Sequence, residues 1–221
     1  VRFNPENYYD LALSFQNYLS NIGKTPIRFD VENITTSGIE YGGSISLETK
    51  EIVYTRAEKK FTSRTMMISE FKNGVFTNPE KLTIGETIYQ GASDVQISND
   101  GNSLYFKMKG YVENDSERRD GNIWVSKRVK EKWTKARMLP KAVNSQLNEY
   151  YPIITNSKNI YFSREHKDTS YDIYVSKYVG GKYQKAEKLP EYINTDLLES
   201  DAYVSPDETF MIFVRMYEEG G

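Results

Sequence analysis

The sequence predicts an all-β fold: a β-propeller of four-stranded antiparallel blades, about three complete and one partial, preceded by a short N-terminal helix. Three observations predict it. First, the stretch "IYVSKYVGGKYQKAEKL" from Ile173 recurs without gaps as "MMISEFKNGVFTNPEKL" from Met66 and "IWVSKRVKEKWTKARML" from Ile123. Second, a shorter unit precedes each copy and returns after the last: "ISLETKEIVY" from Ile45, "ISNDGNSLYF" from Ile97, "ITNSKNIYF" from Ile154 and "VSPDETFMIF" from Val204, spaced by 52, 57 and 50 residues. Third, aromatics make up 14% of the chain, with 18 Tyr, and such side chains suit a pleated, half-buried surface. A period of about 50 residues built from short strands is the signature of propeller blades. A sheet that is apolar on both faces cannot hide them alone, so radial stacking of blades buries them and leaves only short edges.

The N-terminal residues 4–26 admit two readings. As a helix, Asn4 caps, Pro5 fills the first turn, Gly23 stops it, and Tyr8, Leu11, Phe15, Tyr18 and Ile22 form one stripe. As a strand, "YDLALS" from Tyr9 matches "YDIYVS" from Tyr171 at Tyr, Asp and Ser, which would close a last blade. No downstream aromatic completes that match, so the helix is preferred and the chain divides into a helical segment, 1–26, and propeller repeats, 27–221. The blades then run over about 39–90, 91–148, 149–199 and, in part, 200–221.

Within a blade, strand a is the short run ending at "IS" and strand b is "EIVY", "SLYF", "NIYF" or "FMIF". The a-to-b turns carry Asp100-Gly101, Ser157-Lys158 and Asp207-Glu208. Strand c is "MMIS", "IWVS" or "IYVS", and the c-to-d turns carry Asn73-Gly74 and Gly180-Gly181. These dipeptides include residues that tolerate the positive φ of tight hairpins. All three copies keep a serine at the end of strand c (Ser69, Ser126, Ser176). They also keep an aromatic on strand d (Phe76, Trp133, Tyr183), expected to pack blade against blade, and a closing leucine (Leu82, Leu139, Leu189).

Composition excludes several chemistries. Acidic and basic residues nearly cancel, 31 against 29, so no whole-molecule field draws in nucleic acid. With no cysteine and one histidine, His166, thiolate sites, disulfides and multi-histidine metal centres are absent. Neither a metal nor a cofactor is expected. His166, in a b-to-c loop, is expected to be solvated. No run of about 18 apolar residues spans a membrane. The insertion "GYVENDSERRDGN", 110–122, is charged and glycine-flanked, and reads as a mobile loop.

The motifs "VSPDETFMIF", "DIYVS" at 172–176, "NIWVS" at 122–126, "INT" at 193–195 and "VNS" at 143–145 resemble the TolB-like, WD-type propeller repeats of bacterial cell-envelope proteins. The resemblance covers about 39–215. It departs from the family pattern where Glu208 replaces a glycine, where Asp100-Gly101 lacks a preceding proline, and where "SLETKEIVY" has lost the turn signature. It implies a periplasmic or outer-membrane-associated protein that serves as a platform for a protein or a cell-wall glycan.

Antiparallel strand order puts the loop entering strand a and the loop leaving strand b on one rim. Entering strand a are Glu40 and Tyr41, Asp94, Glu149 and Tyr150, and Glu199 and Asp201. Leaving strand b are Arg56, Arg164 and Arg215, with Met108 at the matching place in the second unit. One reading makes these inter-blade ion pairs that any repeat reproduces; the other makes the mouth a polar ligand site, with arginines forking onto anions and tyrosines stacking on sugars. The expected function is non-catalytic binding or scaffolding through this rim. The alternative is a glycosidase or lyase using Glu40, Asp94, Glu149 and Asp201, since glycoside hydrolysis needs a carboxylate pair.

Overall fold

The computed structural model describes residues 33–58, 61, 63–73, 75–109, 120–166 and 170–216. The helix expected within 1–26 and residues 110–119 of the charged insertion lie outside them. The described residues form antiparallel sheets and no α-helix.

The first blade contains β1 (Ile39–Ser46), β2 (Glu51–Ala57), β3 (Arg64–Lys72), β4 (Val75–Phe76) and β5 (Glu80–Lys81). The second contains β6 (Ser93–Ile97), β7 (Ser103–Lys109), β8 (Gly121–Val129), β9 (Lys132–Trp133) and β10 (Arg137–Met138). The third contains β11 (Glu149–Ile154), β12 (Ile160–Glu165), β13 (Tyr171–Ser176), β14 (Tyr178–Val179), β15 (Lys182–Tyr183) and β16 (Glu187–Lys188). Two strands, β17 (Leu198–Val204) and β18 (Met211–Met216), form the fourth sheet. Order in the complete blades is a-b-c-d, for example β11-β12-β13-β16.

Strand d is broken in each complete blade. Its first half hairpins with the end of strand c, as in Phe71↔Phe76 and Arg128↔Trp133. Its second half rejoins strand c further back, as in Ile68↔Glu80, Val125↔Arg137 and Val175↔Glu187. The recurrent serine holds the break together. Ser69 and Ser126 donate at 2.6 Å to the carbonyls of Thr77 and Thr134, and Ser176 donates likewise to Gln184, each eight residues on. The a-to-b turns have Gly101, Lys158 and Glu208 at φ of 67, 67 and 61°. Glu208 uses this position to insert into the neighbouring blade. Its carboxylate accepts from Thr155 Oγ1 at 2.9 Å, Asn159 Nδ2 at 3.1 Å, Tyr161 OH at 2.8 Å and Ser157 Oγ.

The cores lie between blades, as radial stacking requires. Val53, Leu82 and Ile84 of the first blade pack on Val95, Ile97, Leu104 and Phe106 of the second. Tyr105, Ile123 and Val125 of the second pack with Ile154, Ile160 and Phe162 of the third. Each fully buried side chain of this size contributes about 1.5–3 kcal/mol. Trp133 and Tyr183 pack against these inter-blade cores, as expected of the strand-d aromatic. Phe76 does not. It belongs to a cluster with Tyr54, Met67 and Phe71 of the first blade and Ile34 of the segment leading into it, because that face of the blade does not meet the second blade.

Candidate functional site

Strand a and strand b of a blade place an acid directly opposite an arginine: Glu40↔Arg56, Glu149↔Arg164 and Glu199↔Arg215. The arginine Nε meets the carboxylate at 2.9, 2.9 and 2.8 Å. Its Nη2 donates to the carbonyl of Ile34, Val143 or Ile193 at 3.0, 2.7 and 2.9 Å. A hydroxyl four residues before the acid, on Thr36, Ser145 or Thr195, donates to the same carboxylate at 2.6 Å. Acid, arginine and hydroxyl thus staple the loop entering strand a to strand b. These pairs run within one blade, not between blades as the repeat alone suggests.

The environment tunes each pair. Burial and the Ser145 and Arg164 contacts act in opposite senses on Glu149, and burial prevails, raising its pKa. At Glu40 burial is outweighed by bonds from Thr36 and Arg56, and the pKa falls. In the second blade both partners are gone together: Ala92 stands where the acid would be, and Met108 where the arginine would be.

Asp94 and Asp201 therefore belong to a different position, two residues further along strand a. Every strand a carries a bulge there, between Tyr41 and Ser44, Ser93 and Gln96, Tyr150 and Ile153, and Ser200 and Tyr203. The first bulged residue has positive φ in all four: Gly42 at 60°, Asp94 at 55°, Tyr151 at 49° and Asp201 at 50°. Such bulges re-aim side chains beside functional sites. A Cβ on Gly42 would lie 3.3 Å from Asp94 Cα. Asp94 accepts from the Tyr151 N–H, and the Tyr151 hydroxyl donates to Asp201. Four successive blades thus bring their bulges into one axial row.

Around that row the repeat is not kept. Lys107 places Nζ 3.3 Å from the centroid of the Tyr150 ring. Tyr150 donates to Glu165 at 3.1 Å and meets Tyr171 edge-on at 5.5 Å. Tyr41 bonds with Ser93 and Arg64. Burial raises the Asp94 pKa to about 6, with the Asp201 charge adding to it and Lys107 opposing it. Burial likewise lowers Lys107 to about 8 against the pull of Asp94. Beside this cluster a cavity of about 220 Å³ lies between the third and fourth blades, with Tyr150, Tyr151, Tyr171 and Asp201 in its wall.

Sequence reasoning named Tyr41, Asp94, Tyr150 and Asp201 in this group and missed Lys107, Tyr151, Glu165 and Tyr171. The signal was present in the repeat alignment. Counting back from "IS" places Gly42, Asp94, Tyr151 and Asp201 at one position, occupied mostly by residues that accept positive φ. His166 lies apart, 2.6 Å from the Asp172 carboxylate, which Lys188 also meets at 2.8 Å. It is partly covered and lies against a carboxylate, not simply solvated, because strand c delivers Asp172 beneath it. Among the described residues no group of three or more histidine or acidic side chains could hold a metal ion, and no helix is long and apolar enough to cross a membrane.

Asp94 makes a pH prediction. An acid whose folded pKa exceeds its unfolded value holds its proton more tightly when folded, so its ionisation costs stability as pH rises from about 4 through about 6. Asp94→Asn keeps the shape and the tolerance of positive φ but removes that cost. Urea unfolding at about pH 8 should show a gain of about 1–3 kcal/mol over wild type, shrinking below about 1 kcal/mol near pH 4.5. A loss at pH 8 would mean that the attraction to Lys107 outweighs burial.

No family model matches the sequence, and no curated protein matches it. Among solved structures the chain is similar to a protein assigned as TolB from Agrobacterium tumefaciens, at 15% identity and a TM-score of 0.47, over 70% of this chain and 50% of that one. It is also similar to a prolyl endopeptidase, at 18% identity and a TM-score of 0.49, over 78% of this chain and 22% of that one. Both have β-propeller domains. The chain spans about half the length of the first and about a fifth of the second.

Proposed function

We propose that this chain is a non-catalytic binding module of an exported bacterial protein, engaging a polypeptide partner through the axial mouth of its blades. One observation carries the reading. The recurring acids and arginines are consumed in stapling the first, third and fourth blades, while side chains at and around the strand-a bulges, whose identities vary from blade to blade (Asp94, Lys107, Tyr150, Tyr151, Asp201), gather at one mouth beside a cavity. A repeat reproduces structural contacts automatically; it has no structural need to vary them in one place. The envelope location is supported by the resemblance of the repeat motifs to TolB-like repeats.

Binding is favoured over glycoside hydrolysis by the count of available carboxylates. Glu40, Glu149 and Glu199 are held by arginines, Asp94 is 6% exposed, and Asp201 is the one carboxylate in the cavity wall among the described residues. Hydrolysis with either stereochemistry needs two, separated by roughly 5–9.5 Å. Selection from a random-peptide library should yield ligands whose affinity drops about tenfold or more in Tyr171→Ala, and that compete with one another. Turnover of soluble cell-wall fragments, abolished by Asp201→Asn, would overturn the reading in favour of the enzyme.

A further inference from the structure

We propose that the cavity between the third and fourth blades takes the side chain of a lysine or arginine of the partner: a cation on an aliphatic stem. The inference rests on the binding reading above and names its ligand class. Its basis is a division of the cavity wall into three chemistries.

One wall is aromatic. Tyr150 and Tyr171 meet edge-on at 5.5 Å, Tyr150 and Tyr151 are tilted 33° at 6.2 Å, and all three line the cavity. A cation over such rings is attracted by their quadrupoles, more strongly where water is thinned. A second wall, Leu198, Val214 and Met216, is aliphatic. It suits the methylenes of a long basic side chain, which pack on apolar surface while the charged head finds a polar one. That polar end is Asp201, the cavity's carboxylate, oriented by Ser200 Oγ at 2.7 Å and by the Tyr151 hydroxyl.

The protein already binds one of its own cations this way. Lys107 Nζ sits 3.3 Å from the Tyr150 ring centroid, yet Lys107 does not line the cavity. Gly121 makes room for its stem, since a Cβ there would fall 2.4 Å from Lys107 Cε.

Other ligand classes fit less well. Among the described residues no lysine or arginine lines the cavity, so a phosphate or carboxylate would meet Asp201 without a counter-charge. A sugar would stack on tyrosine but needs many in-plane hydrogen-bonding partners. The Tyr150 and Tyr151 hydroxyls already serve Glu165 and Asp201, and among the described residues the opposite wall is Leu198, Val214 and Met216.

The test uses the methyl resonance of Met216, one of 6 methionines, in full-length chain labelled with methyl-¹³C methionine and assigned with Met216→Leu. The probes are blocked tripeptides, glycyl-X-glycine, with X as lysine, arginine, norleucine or glutamate, and the disaccharide chitobiose. Lysine and arginine peptides should shift Met216 saturably, at least about tenfold more tightly than norleucine, with affinity falling as salt rises. Asp201→Asn and Tyr171→Ala should remove the shift while the other methionine methyls stay in place, which marks the variants as folded.

Saturation of Met216 by norleucine, glutamate or chitobiose as tightly as by lysine would overturn the cation assignment and leave the mouth-binding reading intact. No movement of Met216 with any tripeptide would also overturn it. If, in addition, library-selected peptides bind without disturbing Met216, the mouth-binding reading falls as well.

Discussion

Replacing Arg164 with alanine should cost about 3–5 kcal/mol of stability, because it leaves the fully buried Glu149 without its counter-charge. Glu149 is 0% exposed and its side chain meets Arg164 Nε at 2.9 Å, while among the described residues its Oε2 has no hydrogen-bond partner to fall back on. The guanidinium also lies 4.5 Å from the Tyr174 ring centroid, so the alanine loses packing as well. The second blade indicates the remedy. There Ala92 and Met108 fill the same two positions, and the blade folds with apolar groups in place of the pair. The double variant Glu149→Ala with Arg164→Met should therefore recover most of the loss, to within about 1–2 kcal/mol of wild type, the remainder reflecting the Ser145 donors left behind. The deficit of Arg164→Ala should also shrink as pH falls, since burial has already raised Glu149 and a protonated carboxyl needs no counter-charge. The first-blade pair sets the contrast. Arg56 and Glu40 side chains are 28% and 16% exposed, so Arg56→Ala should cost only about 1 kcal/mol. Urea unfolding of wild type, Glu149→Ala, Arg164→Met and the double gives the coupling directly, with Arg164→Ala measured alongside. A double variant no more stable than Arg164→Ala would assign the loss to packing on Tyr174 rather than to charge.

That cycle turns on a feature half legible in the sequence. Repeats, strand positions and turn dipeptides could be read because alternation and positive-φ preferences are local. The a-to-b turn signature at Asp100-Gly101 and the strand "SLYF" need no knowledge of the rest of the chain. The arginine at 56, 164 and 215, and its replacement by Met108, also appeared in register. The acid of the second blade is expected at Asp94, but its position there holds Ala92: the spacing to "IS" sets Asp94 level with Gly42, Tyr151 and Asp201, and the positive φ shared by these four bulge residues is not a period-two signal. The meeting of Gly42, Asp94, Tyr151 and Asp201 depends on radial stacking, which lies beyond any local pattern. The same holds for Glu208, which looks like a poor substitute for a turn glycine until the next blade's Thr155, Asn159 and Tyr161 surround it. Phe76 failed for a related reason: a repeat position predicts the same neighbours only where a neighbouring blade is packed against it.

The asparagine of "VNS" and "INT" carries the second large effect, and the motif's chemistry becomes clear only in three dimensions. The backbone ladder between strand d and strand c ends one residue past Met138↔Trp124, with the Leu139 N–H donating to the Ile123 carbonyl at 3.0 Å, where the chain turns away at Pro140. Asn144 completes it with a side chain. Its Oδ1 accepts the Ile123 N–H at 2.9 Å, and its Nδ2 donates to the carbonyls of Ile123 and Leu139 at 3.0 and 2.9 Å. Asn194 repeats the arrangement on Ile173 and Leu189. Asn144 and Ile123 are 3% and 0% exposed, so water cannot replace these bonds. Asn144→Ala should cost about 2–4 kcal/mol, the penalty of stranding one or two buried backbone groups at about 1–3 kcal/mol each. Asn144→Asp is the sharper variant. It keeps the acceptor for Ile123 N–H but turns a carboxylate oxygen toward two carbonyls, so its folded pKa must lie above its unfolded one. Its stability should accordingly fall as pH rises above the ordinary carboxylate range and recover on acidification, when the protonated acid again offers a donor. A purely space-filling side chain would behave differently: alanine would still be harmful, but aspartate would be mild, and neither would respond to pH. Unfolding midpoints of both variants near pH 4.5 and pH 8 separate the two accounts.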